Sequence, residues 1–177
     1  MSDFSLSERF DLMWRFAIAY GVIAILFTLE LVSFSIPYAG QLKPFFVLMA
    51  VMYWAIYRPS LLSPVFIFAL GLAYDFIAGQ PFIGMKAFIL LAVFLVIRDQ
   101  RLFLMAQPFI VIWLFFALTA VLAALSEWLI FSVLSFRFID VIPSLLEAGI
   151  SVLIFPSIAV LLNFIMKALP EHHKTSL

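Results

Sequence analysis

Four carboxylates, Glu30, Asp75, Glu127 and Glu147, lie within or at the edge of long apolar runs, and Lys86 opens another such run. Two carboxylates held together in an apolar setting can share one proton and do acid/base chemistry. Asp75 with Glu127 is the pair best suited to it. Neither lies in a Gly-x-Gly-Asp setting, and the chain has no Walker loop, dinucleotide fingerprint, HExxH pair or GxSxG elbow. No catalytic residue is therefore expected. His172 and His173 are adjacent in a polar tail without further ligands, which makes a poor metal site. The absence of cysteine removes disulfides, thiol chemistry and iron–sulfur clusters. Neither a metal nor a cofactor is expected. What remains is charge pairing inside a helix bundle, because an ionisable group within a membrane span is costly and needs a partner.

The elements that position these groups follow from composition. The 177 residues are 67% hydrophobic, well above a soluble domain, so the bilayer is the expected solvent. The net charge of zero argues against nucleic acid as a partner. The opening MSDFSLSERFD is polar and lacks a small-residue cleavage site, so no cleavable signal peptide is expected. The apolar runs lack the period-two alternation of barrel strands. They predict an all-α polytopic membrane protein, a single domain over 1–177 with short tails at 1–13 and 170–177. Six transmembrane segments are expected, at about Trp14–Ile36, Pro44–Tyr57, Ser60–Gly79, Gly84–Ile97, Leu102–Phe136 and Pro143–Leu169. The second and fourth hold about 14 residues, or roughly 21 Å of helix. That is short for a hydrocarbon core of about 30 Å, unless Lys43, Arg58, Lys86 and Arg98 snorkel or the bilayer thins. The fifth holds some 35 residues, about 52 Å as helix, so it must tilt, break or project. Pro108 and Pro156 are candidate kinks.

The positive-inside rule orients the chain. With both termini cytoplasmic, the inner side collects Arg9, Arg15, Arg58, Arg98, Arg101, Lys167 and Lys174, and the outer side only Lys43, Lys86 and Arg137. Trp14, Trp54, Tyr57 and Trp128 then fall near the interfaces, as an aromatic belt would. All four carboxylates fall in the outer part of the bilayer. Glu30 and Glu147 can reach the headgroup region there, and Glu147 also sits near the positive end of its helix. Gly71, Asp75 and Gly79 share one face, a small-residue surface that lets another helix approach. Ala117, Ala120, Ala124 and Glu127 make a similar face, and Ala17 and Gly21 a smaller one. Gly79-Gln80-Pro81-Phe82-Ile83-Gly84 reads as a tight turn leading to Lys86. Asp75 then has three readings: a salt bridge to Lys86, a cap on the N–H groups opening the next helix, or a protonated carboxyl. Lys86 is the expected counter-ion.

These residues carry a resemblance. Pro44 begins the second run, which ends Tyr53-Trp54 and then Arg58-Pro59; Gly71-Leu72, Asp75, Gly79, Pro81 and Gly84 follow. Over about Pro44–Arg98 the chain resembles the rod shape-determining MreD family, with its "GL..D…G.P.G" stretch. Tyr74 stands where many relatives carry an aliphatic residue. The resemblance implies a multi-pass protein of the bacterial inner membrane, in the cell-elongation and peptidoglycan-synthesis machinery. It implies a non-enzymatic scaffold that recruits MreC, and through it MreB, RodA and a class B penicillin-binding transpeptidase. The family is also similar in fold to the substrate-binding subunits of energy-coupling-factor transporters. The motif it rests on makes Gly71, Asp75, Gly79, Pro81 and Gly84 the expected structural signature, with Lys86 as counter-ion and Glu30, Glu127 and Glu147 as secondary candidates from their placement in the apolar runs. A small-solute binding subunit of a transporter is the alternative function, and a lipid carrier for wall precursors a third.

Overall fold

The computed structural model describes residues 6–32, 34–36, 40–136 and 140–168. Arg137, His172, His173 and Lys174 lie outside the described residues, as do the side chains of Arg9, Trp14, Arg15 and Lys167. Six α-helices make up the described fold: α1 (Leu6–Leu31), α2 (Phe46–Tyr57), α3 (Pro64–Ile77), α4 (Met85–Met105), α5 (Phe109–Ser135) and α6 (Ile142–Ala168). Between α1 and α2, β1 (Phe34–Ile36) pairs antiparallel with β2 (Gly40–Leu42), Ser35 opposite Gln41. The first helix therefore ends five residues before the expected boundary at Ile36, and the chain turns back through a hairpin.

Two further boundaries differ from expectation. The fourth segment does not stop at Ile97: α4 runs on through Arg98, Asp99 and Gln100, all exposed, to Met105. Charged residues on a solvated face do not end a helix, so hydropathy alone placed the end too early. The long fifth segment is broken. Pro108 precedes α5 instead of kinking it, because proline disfavours a helical conformation in the residue before it and lacks the N–H to continue a helix. Pro156 does lie inside α6.

The centre of the fold is α2. Every residue from Phe46 to Ile56 is buried, as expected of a helix that is apolar all round. At 12 residues it is about 18 Å long, and α1, α4, α5 and α6 pack around it. Trp54, expected in an interfacial belt, is buried in this core at 1% exposure. The outer surface is apolar too: Leu114, Leu118, Leu122, Leu129 and Val133 form an exposed stripe on α5. α5 and the Ile142–Ile165 stretch of α6 are each long and apolar enough to cross a membrane.

α3 and α4 pack closely on one another. Gly71 makes this possible: a Cβ there would lie 2.2 Å from the Ala87 Cα and 2.7 Å from its N. Small residues at such crossings let backbones meet.

Candidate functional site

A helix leaves its first N–H groups without intrahelical partners, and in an apolar interior each must be answered. Both α2 and α4 begin inside the bundle, and neither has an acid in its first turn. Carboxylates from other helices answer them. Glu30, on α1 and 0% exposed, accepts the Val47 N–H through Oε2 at 2.7 Å. Glu147 on α6 accepts the Lys43 N–H at 3.0 Å, and Ser151, one turn further, accepts the Phe45 N–H at 2.8 Å. The Ser151 hydroxyl in turn donates to the Glu147 carbonyl at 2.6 Å.

Asp75, also 0% exposed, does the same for α4: Oδ2 accepts the Gly84 N–H at 2.8 Å and the Lys86 N–H at 3.2 Å. The turn between α3 and α4 is built to bring the two together. Gly79 takes a left-handed φ of +63° just past α3. The Gln80 N–H returns to the Asp75 carbonyl and the Gly79 N–H to that of Phe76, which is a Schellman close. Gly84, at φ +98°, sets the chain entering α4. Gly79 is exposed and has open space around it, so it is a turn residue and not part of a helix-packing face with Gly71. Pro81 is exposed in the same turn.

The expected pairing of Lys86 with Asp75 is corrected. The Lys86 ammonium lies 2.8 Å from Glu127 Oε1 on α5 and 3.3 Å from Glu30 Oε1 on α1. It also lies over the Phe45 ring at 4.5 Å and the Tyr74 ring at 5.1 Å. Asp75 meets the backbone of Lys86, not its side chain, because the side chain of the second residue of α4 points across the bundle toward α1 and α5. Neither Glu30 nor Lys86 reaches headgroup level as a free charge; both are buried. One layer thus holds Glu30, Asp75, Lys86, Glu127 and Glu147, and brings α1, α3, α4, α5 and α6 together beside the start of α2. Beside it lies a polar cavity of about 300 Å³ lined by Lys43, Asp75, Gln80, Lys86, Glu127 and Glu147.

Ser151 was missed in the sequence. Its signal is the four-residue spacing from Glu147, which puts both on one helix face.

Residues 8–167 match the family described as rod shape-determining protein MreD. The chain belongs to the MreD family. One relative, the rod shape-determining protein MreD of Haemophilus influenzae, is 31% identical over 99 residues, which is 56% of this chain and 59% of that protein. The alignment therefore spans less than two thirds of the relative's length. No solved structure matches the chain. With its apolar helices, this MreD-family chain is a membrane protein. Within the Pro44–Arg98 stretch that carries the resemblance, Gly71 to Gly84 builds the α3–α4 crossing, the turn and the α4 cap.

The cap gives a direct expectation. Asp75→Ala leaves the part-buried Gly84 N–H and the buried Lys86 N–H unanswered and should cost about 2 kcal/mol, at the upper end for a lost N-cap. Asp75→Asn keeps an acceptor and should recover most of that. Thermal unfolding in detergent reads the order; equal losses for the two variants would remove the capping role, as would an Asp75→Ala loss no larger than that of Asp3→Ala.

Proposed function

We propose that the protein is a non-enzymatic scaffold of the cell-elongation complex in the bacterial inner membrane. In this reading it is multi-pass, keeps both termini cytoplasmic, and recruits MreC and, through it, wall synthases. Family membership supports a role in rod shape. The observation that carries the scaffold reading is how the charged layer is used. Each carboxylate is engaged in holding a backbone N–H or the Lys86 ammonium. Groups fixed in this way hold helices in register and are poorly placed to shuttle protons. A rigid bundle with an apolar outer stripe on α5 suits helix–helix recognition, with the partner contact on the outer, Lys86-bearing side.

Depletion in a rod-shaped host tests the role. Cells should round into spheres and return to rods when the intact chain is supplied. Pairwise cysteine crosslinking tests the surface, with links to MreC expected from the Lys86 end of α5. Links solely from the Arg58–Arg98 end would remove that placement.

The 300 Å³ polar cavity supports a second reading, a small-solute binding subunit of a transporter. Unchanged cell shape on depletion, with a new vitamin requirement and ATPase genes beside the coding sequence, would favour it over the scaffold.

A further inference from the structure

A second cavity, of about 400 Å³, lies at the opposite end of α2, between α2, α5 and α6. Ile56, Ile112, Phe155 and Ala159 are buried in its walls. The Phe155 ring stacks on Phe116 at 4.1 Å and on Phe109 at 6.3 Å, which fixes one side of the slot. Val160 and Phe109 line it yet are exposed at 68% and 46%, so it opens onto the apolar outer surface. At its rim stands Arg58, half-buried.

Arg58 faces Tyr53 and has no carboxylate partner among the described residues. Among the described residues the ion pairs join Lys86 to Glu30 and to Glu127, and none reaches Arg58. Its neighbour Arg101 is committed, donating Nε to the Ile56 carbonyl at 2.9 Å. A guanidinium without a carboxylate among the described residues, at the lip of a mainly apolar slot that also carries Tyr53, Tyr57 and Asn163, calls in a membrane protein for an anion attached to an apolar chain. We infer that this cleft holds one acyl chain of an anionic phospholipid, with its phosphate on the Arg58 guanidinium. The planar fork matches phosphate with two parallel hydrogen bonds. Basic pockets between membrane helices take anionic headgroups in this way. Size agrees: a cavity of about 150 Å³ takes a benzene, so ~400 Å³ takes roughly 15 carbons, an acyl chain's worth. The site is separate from the charged layer and does not rest on the scaffold reading.

The test uses the whole chain in mild detergent, with palmitoyl-oleoyl phosphatidylglycerol, the matching phosphatidylethanolamine, or glycerol phosphate added. Thermal shift and lipid retention in native mass spectrometry are the readouts. Phosphatidylglycerol should be retained and raise Tm, and the other two should do neither. Arg58→Gln should weaken that binding about tenfold, the scale of one charge-assisted contact, with the lipid-free Tm unchanged. Arg98→Gln, an exposed cation at the same end, should not weaken it. Ala159→Phe, which fills the slot, should abolish retention; Arg58→Gln decides alone if that variant does not fold. The site is overturned if both phospholipids act alike, if the two arginine variants lose equally, or if glycerol phosphate matches the lipid.

Discussion

Lys86→Met is expected to remove about 3–5 kcal/mol of stability, the cost of leaving a buried charge without its partner. Two carboxylates depend on this one ammonium. Glu30 is the more exposed to its loss, because its Oε1 has no hydrogen bond and only the lysine at 3.3 Å to compensate it. Methionine keeps the apolar stem against Phe45 and Tyr74 but gives up the cation held over both rings. The measurement is thermal unfolding of the purified chain, with its amount in membranes as a second readout. Glu127→Gln alone should cost less, since its side chain is 20% exposed where that of Glu30 is 1%. Neutralising all three, with Lys86→Met, Glu30→Gln and Glu127→Gln together, should recover much of the loss. If the triple variant is as unstable as the single one, the lysine is not acting as the counter-ion of this layer.

Gly71→Ala should be the most damaging single methyl added to the chain. Overpacking costs about 1–3 kcal/mol, and the contact here is at the severe end. Two of the three atoms it would strike belong to the Ala87 backbone, at 2.2 and 2.7 Å, and cannot move without moving α4. Ala87→Gly removes only the third, a Cβ at 2.9 Å, so combining it with Gly71→Ala should not rescue. Gly21→Ala and Gly149→Ala meet nothing within 4 Å and serve as controls. Those two should be neutral or stabilise by up to about 1 kcal/mol, the helical preference of alanine over glycine. Unfolding temperatures of the four variants rank them; a tolerated Gly71→Ala would mean that α3 and α4 are not in contact at this crossing.

The helical character of the chain was legible because composition and apolar runs alone demand it. Where the sequence misled, tertiary structure supplied what local pattern could not. Pro108 reads equally well as a kink or a break, and only the chain's path into α5 decides. Arg98, Asp99 and Gln100 look like the end of a span because hydropathy sees charge and not the exposed face that carries it. Trp54 looks like an interfacial anchor until α2 is found surrounded by other helices. At the charged layer, the residues were legible and their partnerships were not. Gly71, Asp75, Gly79 and Gly84 stand out by type and spacing. That Asp75 takes a backbone N–H while Lys86 crosses to Glu30 and Glu127 depends on which helices lie side by side. No spacing along the chain encodes it, since Lys86 and Glu127 are 41 residues apart.

The caps on α2 come late in the chain. Glu147 and Ser151 follow the N–H groups they answer by 104 and 106 residues. At about 5–20 residues per second of synthesis, that interval is roughly 5–20 s. Through it a nascent α2 waits with the Lys43 and Phe45 N–H groups ahead of it bare and only the Val47 N–H answered, by Glu30 on the earlier α1. α6 is thus the helix that licenses the innermost, and a chain cut short before it should be a quality-control substrate and not a smaller working protein.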